Sequence, residues 1–408
     1  MSDAQRPEGL RPETLIASAG VATDPAFNSV SPPIHLSANY AWNDPLEKPQ
    51  YDYARSGNPS RTQLEEALAQ LESGARGVVV SSGMAALDLI LNLVDPGEIV
   101  IAPHDCYGGT HRLLTSRAKR GQFELVYANQ TDPVELAAAF ERKPKLVLVE
   151  TPSNPLLRIT DIRAVVEHAK KCGAIVAADN TFLSPALQRP LELGCDIVVH
   201  STTKFINGHS DVVGGAVIAK DQALGDELAW WANCTGVTGA PFDSFLTLRG
   251  LRTLFPRIER QQATAGDVVT QLEKDRRVAK VFYPGLESHP GHEIAKGQQY
   301  GFGSMFSVEF AEGVDVIELL RKLNLFTIAE SLGGFESLVC TPSCMTHAAM
   351  TPEARATAGI TDRLVRFSIG LEHSDDLVRD IQTALDAAGE AGAGKVAYLS
   401  SGAASKCA

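Results

Sequence analysis

Long apolar runs are missing from this sequence: none reaches the roughly 18 residues that a helix needs to cross a bilayer. Positive charge is in deficit too, with 37 Lys and Arg against 49 Asp and Glu and a net charge of -12. Nucleic acid or an anionic membrane would demand a basic footprint, so neither is an expected partner, while a local cationic pocket for a small anion stays open. Cysteine pairs with ligand spacing are absent. Seven cysteines are scattered along the chain, Cys340 and Cys344 being the nearest neighbours, and this suits reduced thiols rather than a disulfide framework or a zinc site. His289 and His292 are spaced like metal ligands, but Pro290 and Gly291 between them signal a turn, so a surface loop and no metal is expected there. No GxGxxG motif follows a strand-like run with an acidic residue on the next one, which sets aside an NAD-type dehydrogenase. The start, MSDAQRPEGLRPE, is polar and contains proline, with no signal-peptide apolar region, so the cytoplasm is the expected compartment. There is no internal repeat.

What is present is ordinary globular material, 44% hydrophobic and 21% charged over 408 residues. That length favours a large α/β domain plus a smaller one. Residues 1–60, rich in Pro, Asn, Ser and aromatics, read as an extended arm that reaches a neighbour. From TQLEEALAQLESGARG onward, helical spacing alternates with short apolar runs at 98–102, 125–127, 146–149, 175–178, 197–199 and 215–218. The alternation predicts a large domain over 61–255 built on a mostly parallel, doubly wound sheet, with ligands at the carboxyl ends of its strands. A smaller α+β domain is expected over 256–390, beginning after the helical stretch FLTLRGLRTLFPRIERQQATAGDVVTQLEK, near residue 256, with strands at 304–310 and 364–368 and helices at 316–323 and 375–387. The Gly/Ala/Ser-rich end, 391–408, reads as a disordered tail.

Three of the predicted strands run into polar groups: Asn154 in ETPSNP, Asp179 followed by Asn180, and Lys204 in HSTTK. Converging on one crevice, a carboxylate, an amide and an amine are what pyridoxal 5′-phosphate (PLP) requires: an acid for the ring nitrogen, a donor for the ring hydroxyl and an amine for the aldehyde. A carboxylate directly after a buried strand needs a partner or must protonate. The same Asp179 would also cap the following helix, and the pattern leaves the two readings about equal. A single lysine is most often a solvated surface charge, but Lys204 follows a hydroxyl cluster at a strand end, where desolvation beside another cation makes an amine reactive. SSGMAA at 81–86 links a strand to a helix, so the amides of Gly83 and Met84 can cradle a phosphate; a tight connection is the commoner meaning of such a turn.

The stretches SPPIHLSANY, YDYARSGNPSR, SSGMAAL, APHDCYGG, ETPSNPLL, DNTFLSPALQ, HSTTKFINGHSDVVGG, ELAWWAN, FDSFLTLRGLRTL and AESLGGFESL cover nearly the whole chain and resemble the Cys/Met metabolism PLP-dependent enzyme family. The resemblance implies a PLP-dependent transferase of fold type I, aspartate aminotransferase-like, with a seven-stranded large domain. It implies Lys204 as the amine that carries the cofactor, Asp179 as the partner of the ring nitrogen, Tyr107 stacked over the ring and Asn154 beside the ring hydroxyl. Gly83, Met84, Ser201 and Thr203 then resemble phosphate ligands of the same subunit, and Tyr53 and Arg55 those given by a neighbour, so that the site needs a dimer within a homotetramer. Arg366 resembles the grip on the substrate α-carboxylate, and Ser331 the hydroxyl near the lysine. Glu330, Asp52, Arg112 and Asn233 fall where the family places substrate-side polar residues.

The activity implied is γ-replacement on small amino acids. Lys204 takes the α-proton and then a β-proton, the γ-acyl group of O-succinyl-L-homoserine leaves as succinate, and the thiol of L-cysteine adds to give L-cystathionine, as in methionine biosynthesis by transsulfuration. Glu330 would orient the cysteine amino group, and Arg112 or Arg55 would meet the distal succinyl carboxylate. The competing expectation is γ-elimination from cystathionine, which shares fold, cofactor and a glutamate in the AESLGG setting. A different class, a cofactor-binding regulator with a protein partner, is opposed by the intact set Lys204, Asp179, Tyr107 and Arg366.

Overall fold

The computed structural model describes residues 9–348 and 350–389. The tail expected over 391–408 and the beginning of the arm lie outside the described residues. A seven-stranded sheet is formed by β1 (Arg76–Val80), β2 (Ile99–Pro103), β3 (Glu124–Ala128), β4 (Leu146–Glu150), β5 (Ile175–Asp179), β6 (Ile197–His200) and β7 (Gly215–Ala219), in the order β1-β7-β6-β5-β4-β2-β3. The strands are parallel except β7, which runs antiparallel to both β1 and β6. Each apolar run of the sequence is therefore a strand, and the architecture is the expected mostly parallel α/β sheet of fold type I. The runs read as continuous rather than alternating because both faces are covered. Val147 and Val149 pack into one core while Leu146 and Leu148 pack into another on the opposite face.

A second sheet, ordered β10-β11-β12-β9-β8, comprises β8 (Val278–Phe282), β9 (Met305–Phe310), β10 (Thr327–Ile328), β11 (Leu338–Cys340) and β12 (Leu364–Ser368). Its strands β9 and β12 match the expected runs, whereas β8, β10 and β11 have no counterpart in the sequence reading. Two of these are only two or three residues long, and β8 is partly exposed and carries Lys280. One face of this sheet is a core of its own, in which Phe306 and Phe367 stack at 5.1 Å under the helix Ser374–Gly389. On the other face β12 presents Arg366, and β9 presents Ser307, whose hydroxyl donates to the Pro155 carbonyl at 2.7 Å. That contact brings the second sheet against the loop that follows β4.

The stretch read as one helical run from Phe245 is two helices, Pro241–Leu251 and Leu254–Leu272. Pro256 sits in the first turn of the second, where its missing N–H is tolerated, and its ring excludes helical continuation through Arg252. The second helix runs straight through residue 256. In the arm, the helix Pro12–Ala17 buries Ile16 in the main core, whereas Phe27 and Leu46 are about nine-tenths exposed, at 87% and 92%. The His289 and His292 turn is not a surface loop. Both residues are buried: His289 Nδ1 accepts from the Gly291 N–H, and His292 Nδ1 pairs with the Pro284 carbonyl at 2.8 Å. Apolar packing around the turn, including Phe302 stacked on His292 at 5.4 Å, outweighs the turn's polar composition.

Candidate active site

The carboxyl ends of β4, β5 and β6, the turn after β1, the Arg366 face of the second sheet and the loop after β10 line a cavity of about 440 Å³. Its wall contains eleven of the residues expected from sequence: Gly83, Met84, Tyr107, Asn154, Asp179, Ser201, Thr203, Lys204, Glu330, Ser331 and Arg366. They come from both sheets.

Lys204 lies in a compact turn after β6, closed by Asn207 N to Thr202 O at 2.9 Å and Gly208 N to Lys204 O at 2.8 Å. Gly208 has φ +67, and an added Cβ there would lie 1.9 Å from the Arg257 guanidinium. Buried Arg257 donates to the carbonyls of Phe205 and Gly250 at 2.9 Å each, clamping the turn against two helices. The Lys204 amine donates to Ser331 Oγ at 2.8 Å. Burial, together with the neighbouring Arg366 charge and against a smaller opposing pull from Glu330, draws its pKa down to about 8. An amine attacks an aldehyde only when unprotonated. Capture of pyridoxal phosphate by the apo protein should therefore slow about tenfold per unit as pH falls below about 8 and level off above it. Stopped-flow appearance of a visible absorption band against pH checks this, and a midpoint near the ordinary lysine value would refute the desolvated amine.

Arg366 is 3% exposed and spends its donors on neutral acceptors, Asn154 Oδ1 at 3.0 Å and the Ser331 carbonyl at 2.9 Å. A buried guanidinium held this way remains a strong site for a carboxylate. The Asn154 side chain is thereby held by its oxygen, with its amide N–H₂ on the other branch.

Asp179 accepts from Thr181 N at 3.0 Å, so the local capping-type bond coexists with its place in the cavity wall. Burial pushes its carboxyl upward, and the Thr181 hydrogen bonds oppose this. Glu150, which the sequence reading passed over, stands in register with Asp179 on the adjacent parallel strand and lines the same cavity. Burial and then Asp179 push the Glu150 carboxyl well above its ordinary range. The signal was available: Glu150 also follows a buried strand directly, as Asp179 does. Two desolvated carboxyls side by side call for a cation between them.

The helix Gly83–Ile90 points its first turn into the cavity, capped by Ser82 Oγ accepting from Ala85 N at 3.0 Å. First-turn N–H groups have no intrahelical carbonyl and suit an anion. Gly83 is needed for closeness, because a Cβ there would sit 2.7 Å from Ser201 Cβ. The Thr203 hydroxyl is engaged with Gly214, accepting from its N–H at 3.0 Å and donating to its carbonyl at 3.1 Å. Tyr107 holds the N-cap position of the helix Gly108–Lys119 without a side-chain capping bond, and the residue, somewhat over one-third exposed, lines the cavity. Crossing the sheet from β1 to β4, the lining changes from amide and hydroxyl donors, through the lysine, to a carboxyl pair. That donor set fits a flat cofactor with a phosphate at one end and a protonated ring nitrogen at the other.

Five expected residues are not brought into the cavity wall: Asp52, Tyr53, Arg55, Arg112 and Asn233. Arg55 donates to the Asn233 carbonyl at 2.8 Å and lies over the Tyr53 ring at 5.6 Å, while Asp52 pairs with Lys48 at 3.1 Å. Arg112 is exposed on the helix Gly108–Lys119.

Residues 13–386 match the model of the Cys/Met metabolism PLP-dependent enzyme family. The chain is 50% identical to the cystathionine γ-synthase of Escherichia coli over 92% of its length and 98% of that protein's. It is 44% identical to a cystathionine β-lyase of Coxiella burnetii over 91% of its length and 97% of that protein's. The crystal structure of cystathionine γ-synthase from Xanthomonas oryzae pv. oryzae in complex with cystathionine superimposes with a TM-score of 0.93 at 54% identity, covering 94% of this chain and all of that one.

Proposed function

The chain belongs to the Cys/Met metabolism PLP-dependent enzyme family, and from that premise we propose that it acts as a cystathionine γ-synthase, exchanging the γ-succinyloxy group of O-succinyl-L-homoserine for the thiol of L-cysteine. The observation that carries this reading is the Lys204, Ser331 and Arg366 cluster facing the Asp179 and Glu150 carboxyls across one cavity. Replacement rather than elimination is favoured by identity, 50% and 54% to γ-synthases against 42% to a γ-lyase of Bacillus subtilis.

When bound, pyridoxal phosphate supplies an aldehyde for the substrate amine and a protonated ring that draws electrons from the α-carbon. The residues of the chain do the rest. Asp179 would pair with the ring nitrogen and favour its protonated form. The first-turn amides of Gly83 and Met84 and the Ser201 hydroxyl would hold the phosphate, joined by the Thr203 hydroxyl once it turns from the Gly214 carbonyl, while Tyr107 would cover the ring and Asn154 would donate to the ring hydroxyl. Arg366 grips the substrate α-carboxylate. Lys204, steadied by Ser331, moves protons at the α- and β-carbons, which lets the γ-substituent depart. Glu330 orients the amino group of the incoming cysteine.

Tyr53, Arg55, Asp52, Asn233 and Arg112 are assigned to a site shared between subunits of a homotetramer. Their place outside the chain's own cavity supports this, as does an arm whose Phe27, Leu36 and Leu46 side chains face outward. The division into an arm over 1–60, a large domain over 61–255 and a small domain over 256–390 is supported by a core for each sheet, while Ile258, Met305 and Leu332 pack across it into the first core. No described helix is long and apolar enough to cross a membrane. Cytoplasmic residence is supported by six described cysteines that are all free thiols.

Steady-state rates decide between the activities. With O-succinyl-L-homoserine plus cysteine, kcat/KM should exceed that with cystathionine alone by about tenfold or more, a difference of about 1.4 kcal/mol in transition-state stabilisation. Faster turnover of cystathionine would assign the chain to elimination instead.

A further inference from the structure

Glu150 ends β4, is 7% exposed and lines the cavity beside Asp179. Each of its carboxylate oxygens accepts from a different loop: Oε2 from the Tyr107 N–H at 2.9 Å and Oε1 from the Asn154 N–H at 3.1 Å. The two loops follow different strands, β2 and β4, and Asp105 in the first is a second tie between them, accepting from Ser153 Oγ at 2.7 Å and Arg158 Nη1 at 2.9 Å; Glu150 is the tie that reaches Tyr107 and Asn154 themselves. From Asn154 the contacts continue without a gap. Its Oδ1 accepts from Arg366 Nη1 at 3.0 Å, Arg366 Nη2 donates to the Ser331 carbonyl at 2.9 Å, and Ser331 Oγ accepts from Lys204 at 2.8 Å. One buried carboxyl thus heads a chain of hydrogen bonds that begins at the tyrosine on one wall and ends at the reactive amine, crossing from the first sheet to the second.

We propose that Glu150 is a positioning residue for γ-replacement: it sets Tyr107 and Asn154 in fixed relation and, through Asn154, fixes where Arg366, Ser331 and Lys204 stand. The inference rests on the function proposed above. With the cationic ring of the bound cofactor offsetting the burial that otherwise favours its protonated form, Glu150 as a carboxylate accepts from two donors at once, one on each oxygen. Glutamine has the same shape but offers one acceptor oxygen and one N–H₂ group, so one of the two backbone N–H groups would meet a donor instead of an acceptor. Displacements of about 1 Å in such a network cost on the order of 100-fold in rate.

The test uses the holoenzyme and two variants, Glu150→Gln and Glu150→Asp. Glu150→Gln should lower kcat/KM for γ-replacement about 100-fold, with KM for the acylated homoserine raised because Arg366 moves with Asn154. It should also shift the pH midpoint of the bound cofactor's visible band downward by about 0.5 unit or more, since a negative charge favouring the protonated form is gone. Glu150→Asp retains the charge but is too short to reach both amides, so its midpoint should stay within about 0.2 unit of the parent's while kcat/KM still falls about tenfold or more. A role limited to stapling two loops would lower the melting temperature and leave kcat/KM per folded holoenzyme and the midpoint unchanged; that result overturns the proposal. If Glu150→Gln does not fold, unaltered kcat/KM in Glu150→Asp overturns it alone. Failure of the underlying function would show in the parent protein, as no visible band or no γ-replacement, before either variant is made.

Discussion

Lys204→Ala should lower kcat for γ-replacement by about 10⁴-fold or more, measured by the disappearance of cysteine thiol in the presence of O-succinyl-L-homoserine. Two tasks are lost at once. Proton transfer by a positioned side chain alone is worth on the order of 10²- to 10⁴-fold, and the same amine is also the anchor for the cofactor. The fold should survive, because the turn around position 204 is closed by backbone bonds and by the Arg257 clamp, none of which uses the Lys204 side chain. Removing a buried amine also relieves its repulsion with Arg366. The apo variant should therefore melt at or above the parent temperature while turning over nothing measurable. A variant that kept the parental kcat would remove Lys204 from the chemistry.

Asp179→Asn should lower kcat/KM by between about 30-fold and a few thousand-fold, the kinetic equivalent of the roughly 2–5 kcal/mol lost when one member of a desolvated charge pair is neutralised. The amide is isosteric and can still accept from Thr181 N, so the loss is one of charge and not of shape. In the apo protein the sign reverses. Asp179 and Glu150 are neighbouring carboxyls on paired strands, and each is disfavoured as an anion by burial. Neutralising one should raise the apo melting temperature by a degree or more, as expected where a site stores unfavourable charge for function (roughly 1 kcal/mol corresponds to a few degrees in a protein this size). Loss of activity without that gain would mean Asp179 is not strained in the apo state. Full activity in Asp179→Asn would end its assignment to the ring nitrogen.

The strands of the main sheet were legible because parallel strands buried on both faces leave unbroken apolar runs. Lys204, Asp179 and Asn154 were legible because each stands where such a run stops, and at a strand end a polar side chain has few uses besides a ligand or a cap. Glu150 stands in the same position and went unnoticed. Its partners are two backbone N–H groups, 43 residues upstream and four downstream, which leave no mark on residue type. The short strands β10 and β11 were invisible for another reason: a few residues carry no periodicity, and β10 exists because it pairs with β11 in the second sheet. The His289 turn shows the opposite failure, since residues with the composition of a loop are buried when apolar neighbours such as Phe302 pack over them.

By itself the sequence determined the alternation of strand and helix, the order of the polar residues at the strand ends and the net negative charge, since these depend on local pattern and composition alone. The tertiary structure decided which of those residues meet. It brought Arg366 from residue 366 to within hydrogen-bond reach of Asn154, 212 positions earlier, and set two carboxyls side by side on neighbouring strands. Residue type records what a side chain can donate, accept or ionise; only the crossing of β12 over the loop after β4 determines the burial and the neighbouring charge that make Lys204 an amine of lowered pKa.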